Sequence, residues 1–218
     1  MSRPAPELER LLRELGVETN STVIVYGDGG PEPYRLWWTL ESMAGFETRL
    51  LDGGLHAWKA AGHRVAGGDG LDVASGTATV GKPRLAAAEH WSDVTHFVES
   101  HPGAKLIDTR SAVEFSGEER HPKAARAGRI PGATHLDWAD VLRDKDDDHR
   151  LKTPSALRAL FRERGVEPGT PVVTYCQSGT RSSAVYFALY QAGFDADSCM
   201  NYDGSWAEYS RLELPTEP

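Results

Sequence analysis

The sequence predicts an α/β fold, a parallel sheet flanked by helices. Three observations predict it. Short apolar runs rich in β-branched residues alternate with helical patterns. A cysteine followed by Gln, Ser, Gly, Thr, Arg and Ser stands between one such run and one such helix. The strand–loop–helix order then occurs twice in the chain, so two units of one kind are expected.

Composition bounds the answer. The chain has 218 residues, enough for one large domain or two small ones. With 39% hydrophobic and 26% charged residues it reads as a globular chain. A formal net charge of −8 argues against nucleic acid as a partner, and any attraction of an anionic substrate must be local. The two cysteines, Cys176 and Cys199, have no metal-ligand spacing, and the histidines form no ligand pattern. Neither a metal nor a cofactor is expected. A reducing compartment and a reactive thiol fit two cysteines better than a disulfide framework does. No apolar run reaches membrane-spanning length and the N-terminus does not read as a signal peptide, so a cytoplasmic protein with no membrane partner is expected.

In chain order, leucines at 8, 11, 12 and 15 have helical spacing, and Gly16 ends that helix. Residues 22–26 read as a strand, 27–31 as a loop, and 32–44 as a helix with Trp37, Trp38 and Leu40 inward. Arg49-Leu50-Leu51 is a short strand, and Asp52-Gly53-Gly54 turns into a small helix carrying Leu55 and Trp58. Residues 66–82, rich in Gly, Ala, Ser and Thr, read as a linker between a first unit at 6–65 and a second at 83–218. Pro83-Arg84-Leu85 is read as the start of the second unit's first strand, and Ser92 as the cap of a helix through Ser100. Lys105-Leu106-Ile107-Asp108 is a strand that ends in Asp108-Thr109-Arg110, and residues 111–115 a short helix. The charge run at 144–149 has no calcium-loop spacing and reads as a solvated loop. Residues 154–164 form an amphipathic helix with Leu157, Leu160 and Phe161 inward.

Val172-Val173-Thr174-Tyr175 is a buried strand, and a helical pattern runs on to Gly193. Between them stands Cys176-Gln177-Ser178-Gly179-Thr180-Arg181-Ser182-Ser183. Gly179 lets the backbone curl, and Ser182 or Ser183 is read as the helix cap. Backbone N–H groups of Gln177 to Ser182 would point inward and hold an anion, with the helix N-terminus adding positive potential. A thiol in such a cradle should have a depressed pKa, and Arg181 adds a charge at the rim. A buried structural cysteine would not need this polar, anion-holding sequence after it. Cys199 reads as core.

The repeat is explicit. Leu11-Leu12-Arg13-Glu14-Leu15-Gly16-Val17-Glu18 is echoed by Leu160-Phe161-Arg162-Glu163-Arg164-Gly165-Val166-Glu167, an offset of 149 residues. Tyr26 then falls on Tyr175 and Gly27 on Cys176. After small insertions, Asp52-Gly53-Gly54-Leu55 matches Asp203-Gly204-Ser205-Trp206. The first unit therefore lacks a nucleophile.

The Cys-x4-Arg spacing is one residue shorter than the Cys-x5-Arg of cysteine phosphatases, and it resembles the rhodanese family of sulfurtransferases. Asp108-Thr109-Arg110 resembles that family's Asp-x-Arg. Gly128-Arg129-Ile130-Pro131-Gly132-Ala133 resembles its Gly-His-Ile-Pro-Gly-Ala turn, with Arg129 in place of His. Tyr202-Asp203-Gly204-Ser205-Trp206 resembles the end of the catalytic domain in two-domain thiosulfate or mercaptopyruvate sulfurtransferases. The N-terminal unit resembles their inactive first domain without its opening half. The resemblance implies a rhodanese-like sheet and a persulfide on Cys176. It also implies a small anionic sulfur donor and a thiophilic acceptor such as cyanide or a thiol. Arg181 would hold the donor or brace the loop, and Asp108 and Arg110 would pair to fix a neighbouring loop. The loop is neither Cys-Arg-Lys-Gly-Val-Thr nor Cys-Gly-Ser-Gly-Val-Thr, so the donor stays open, and Glu114 stands where some thiosulfate-using relatives place an arginine. Phosphatase or arsenate-reductase chemistry and a non-catalytic binding module are the competing expectations. An incomplete first unit also implies self-association.

Overall fold

The computed structural model describes residues 5–68, 72–144 and 149–218. These divide into two units, one formed by residues up to 85 with 144, 149 and 150, the other by 86–143 and 151–218. Residues 145–148 of the charge run and 69–71 of the expected linker lie outside the described residues. Among those described, no helix is long and apolar enough to cross a membrane.

The first unit holds a two-stranded parallel sheet, β1 (Val23–Val25) beside β2 (Thr48–Leu50), with Val23 opposite Thr48 and Val25 opposite Leu50. Helix α1 (Ala5–Glu14) buries Leu8 and Leu12 against Val25, Leu40, Ala44, Phe46 and Ala78. Leu15, expected on the same face, is exposed, because the helix ends at Glu14 and Gly16 turns away at a φ of 76°. Helix α2 (Glu32–Thr39) runs into a wider π turn, Leu40–Ala44, and buries Trp37 and Trp38. Helix α3 (Gly54–Ala60) follows β2. Residues 76–81, composed like a linker, are tied to this unit. Gly76, Ala78 and Gly81 donate their N–H groups to the carbonyls of Arg13, Val17 and Ala44 at 2.8, 3.0 and 2.8 Å. Small residues suit a strap that must lie close to other backbone, so low periodicity here reflects close packing as well as loop character.

The second unit is a five-stranded parallel sheet in the order β3-β7-β6-β4-β5. Its strands are β3 (Ala87–Ala88), β4 (Lys105–Asp108), β5 (Thr134–His135), β6 (Val172–Tyr175) and β7 (Cys199–Tyr202). Its helices are α4 (Trp91–Ser100), α5 (Ala112–Phe115), α6 (Pro154–Arg162), α7 (Thr180–Gln191) and α8 (Ser205–Tyr209). The first strand starts later than Pro83-Arg84-Leu85, where proline withholds a ladder donor. Helix α4 is capped at His90, two residues earlier than Ser92 implied, since Asp93 turns back to accept the N–H groups of Glu89 and His90, both at 2.9 Å. Central β6 is buried at every position, as a strand covered on both faces must be. In its register with β4, Asp108 lies opposite Tyr175, so both strands end at the same edge. The loops that follow them, 109–111 and 176–179, therefore emerge side by side, where parallel sheets place their sites.

Candidate active site

Cys176 follows β6 directly and is 1% exposed. The chain turns at Gly179, whose φ of 76° favours glycine, and α7 begins at Thr180. Gly179 is thus the cap residue, and Ser182 and Ser183 lie inside the first turn of the helix, not before it. Both are used there. The Ser182 hydroxyl lies 3.6 Å from the Cys176 sulfur and donates to it, and Ser183 Oγ donates to the Gly179 carbonyl at 2.6 Å. Asn201 on β7 supports the same carbonyl from Nδ2 at 3.3 Å.

The loop is fastened from below by a residue the sequence reading did not single out. Ser205 Oγ accepts the N–H of Cys176 at 3.2 Å and that of Gly179 at 3.0 Å, while donating to the Tyr202 carbonyl at 2.7 Å. The next two amides, of Trp206 and Ala207, donate to the carbonyls of Cys176 and Gln177 at 3.0 and 2.9 Å. Ser205 holds this position at a φ of 50°, a left-handed conformation uncommon outside glycine. The signal was in the repeat. Its counterpart Gly54 has a φ of 57°, and the amide after it, of Leu55, donates to the Gly27 carbonyl at 2.9 Å. One latch therefore serves both loops, with glycine in the first unit and serine in the second. At Gly27 itself a Cβ would come within 2.7 Å of Pro33 Cγ, so the first unit lacks room for a nucleophile as well as the residue.

With Cys176 and Gly179 committed to Ser205, five N–H groups remain. Those of Gln177, Ser178, Thr180, Arg181 and Ser182 have no acceptor among the described residues. The last three are the open N-terminal turn of α7, which carries the positive end of the helix dipole. Ser178 is exposed, while Gln177 is buried with both carboxamide atoms lacking a partner.

Arg181 does not stand free at the rim. Its guanidinium forms a fork with Glu114 of α5, Nη1 to Oε2 at 2.5 Å and Nη2 to Oε1 at 3.0 Å. Burial alone would raise the Glu114 pKa, but the bonds and charge of Arg181, with the N–H and hydroxyl of Ser111, hold it at about 2. Asp108 and Arg110 form a second pair, almost fully buried, with Nη2 to Oδ2 at 2.5 Å and Nε to Oδ1 at 2.9 Å. Arg110 Nη2 also donates to the Gly128 carbonyl at 2.8 Å, and its guanidinium lies 4.8 Å from the ring centroid of Trp206. The pair thus joins β4, the 128–133 turn and the latch helix α8. Cys199 lies on β7, buried, and burial raises its thiol to about 12, so it is no second nucleophile at neutral pH. Among the described residues no cluster of three or more His, Cys, Asp or Glu is placed to hold a metal ion.

The family description "Rhodanese-like domain" matches residues 1–61 and 95–212. The 3-mercaptopyruvate sulfurtransferase of Escherichia coli K12 is 33% identical over 224 residues, which take in 99% of this chain and 75% of that one. A putative thiosulfate sulfurtransferase of Mycobacterium tuberculosis, SseB, is 33% identical, covering 97% of this chain and 71% of its own. The sulfur carrier protein TtuD of Thermus thermophilus is 31% identical, over 94% of this chain and 74% of its own. Among solved structures, the anaerobic ergothioneine biosynthesis enzyme from Chlorobium limicola superposes with a TM-score of 0.81 at 24% identity. That likeness is one of fold, and the chain spans 55% of the length of that structure.

Proposed function

The chain belongs to the rhodanese family and is a sulfurtransferase, and from that premise we propose that Cys176 carries the sulfur in transit. The Cys176 thiolate attacks the outer sulfur of a donor such as thiosulfate. A sulfur–sulfur bond forms at Cys176, the donor's own bond to that sulfur breaks, and the leaving group, sulfite in this case, departs with the electron pair. A thiophilic acceptor, cyanide or a thiol, then attacks the outer sulfur of the persulfide, and the thiolate is restored.

The observation that carries this reading is the set of five N–H groups, in the loop and helix start that follow Cys176, without an acceptor among the described residues. A persulfide extends the negative charge one atom beyond the cysteine. N–H groups fixed in advance stabilise a charge there without reorganising. The short Ser205 latch keeps those groups in place, and the Ser182 hydroxyl supplies a further donor at the sulfur. Phosphate-ester chemistry would need Arg181 on the transferred group, and that guanidinium is held by Glu114. The intact nucleophile and latch count against a purely binding module. The two unpaired cysteines support a reducing compartment, which favours the cytoplasm. The exposed apolar residues of β1 support self-association.

The test is the intact mass of the protein after incubation with thiosulfate, or with 3-mercaptopyruvate, beside a Cys176→Ser control. A gain of one sulfur, absent from the control and discharged by cyanide, is expected. No gain from either donor would remove the persulfide mechanism.

A further inference from the structure

Two ion pairs border the loop in this unit, and each is closed on itself. Asp108 holds Arg110, and Glu114 holds Arg181 through both oxygens. The four formal charges sum to zero, and the loop residues Gln177, Ser178, Gly179 and Thr180 add none. The nucleophile is itself an anion when it reacts. What this loop, among the described residues, offers a donor is therefore a set of neutral dipoles: five N–H groups, the Ser182 hydroxyl, and the unpartnered carboxamide of buried Gln177. Dipoles stabilise one negative charge well. A second charge on the donor would need a free cation to offset its repulsion from the thiolate, and Glu114 has taken that cation.

We propose that Glu114 is the residue that sets donor charge. By holding Arg181 it selects a sulfur donor bearing one negative charge at the transferred group, of the organic persulfide or thiosulfonate class, over a dianion such as thiosulfate. Glu114 acts through Arg181 and the field at the cradle and touches no reacting atom, so it is a positioning and specificity residue. This deepens the sulfur-transfer reading and rests on it.

The clean comparison uses two donors that differ by one charge. Methanethiosulfonate carries a methyl group where thiosulfate carries an oxygen anion. Each passes one sulfur to Cys176, and the leaving groups are methanesulfinate and sulfite. The wild type should show the higher kcat/KM with methanethiosulfonate, a ranking that needs no variant to be measured. Glu114→Gln keeps the size of the side chain and removes its charge. A dianion gains twice what a monoanion gains, so the donor ratio should move toward thiosulfate by about tenfold, the worth of one unit charge at this range. The change should lie mainly in KM, and Glu114→Asp, which keeps the charge, should restore most of the wild-type ratio.

Equal effects of Glu114→Gln on both donors would reduce Glu114 to a brace for Arg181 and overturn the proposal. A wild type that prefers the dianion would overturn it as well. Failure of the wild type to take sulfur from either donor would remove the sulfur-transfer reading, and this inference with it.

Discussion

Ser205 shows how one hydroxyl can decide the shape of a site. Its oxygen accepts two amides of the nucleophile loop, and it holds a left-handed backbone that its glycine counterpart in the first unit adopts freely. Ser205→Ala should leave two buried N–H groups unsatisfied and cost about 1–3 kcal/mol, with sulfur loading slowed as the loop loosens. Ser205→Gly loses the same bonds but relaxes the backbone, so it should be more stable than the alanine variant by roughly 1 kcal/mol. Urea unfolding of the two variants reads that difference, and equal stabilities would mean that the left-handed backbone carries no strain. Glu114 also couples stability to pH. Its carboxyl is held at about 2 against an ordinary 4.5, so the pair stabilises the fold fully above that ordinary value and fades as pH falls through 2. Glu114→Gln should therefore flatten the loss of stability between pH 4.5 and 2 in an acid titration of the urea midpoint. A parallel decline in both proteins would show that the carboxylate is not the group being titrated.

At the scale of elements, β4, the 128–133 turn and α8 meet on Arg110, which bonds Asp108, the Gly128 carbonyl and the face of Trp206. Breaking a buried pair leaves its partner charge uncompensated. Arg110→Ala should cost roughly 3–5 kcal/mol, and Arg110→Lys a large part of that, because an ammonium cannot reproduce the fork. Loss of folding rather than of donor discrimination is the expected signature, measured by denaturant unfolding beside the donor ratio. Strands β4 and β6 were legible because their apolar runs are bounded by polar turns and both faces are covered. Strand β7, Cys199-Met200-Asn201-Tyr202, escaped notice because Asn201 interrupts the apolar run. The structure shows why asparagine is there: Oδ1 accepts from Thr174 Oγ1 at 3.2 Å and Nδ2 reaches the Gly179 carbonyl. The cysteine loop could be placed from its own residues, but the Glu114 fork could not. It joins positions 67 residues apart, and no local pattern announces such a pairing. The capping serine was misplaced for a related reason. Gly179 in a left-handed turn starts the helix without a side-chain cap, which frees Ser182 for the sulfur.

Across the whole molecule the two units keep the same backbone device and differ in what it carries. The latch amides of Leu55 and Trp206 donate to Gly27 and Cys176 in the same way, yet only the second loop has a thiol and space for it. The second unit also completes a five-stranded sheet, whereas the described strands of the first unit form a sheet of two. Among the described residues one side of β1 has no partner strand; its Ile24 is 63% exposed, Tyr26 just after it 60%, and Leu36 of α2 is exposed as well. An unpaired strand with apolar side chains offers both ladder groups and apolar area to another strand. A second copy of the chain presents the same surface, and two such edges can meet antiparallel about a two-fold axis, residue i of one facing residue j of the other, so that an axis at Ile24, the middle of Val23–Val25, sets Ile24 against its counterpart. Sedimentation equilibrium should then show a concentration-dependent dimer. Ile24→Lys should shift it to monomer, because a two-fold contact would bring the new charges together, while sulfur loading on Cys176 in the other unit continues. A wild type that is monomeric at all concentrations, or a dimer indifferent to Ile24→Lys, would remove this edge from the account of how the chain associates.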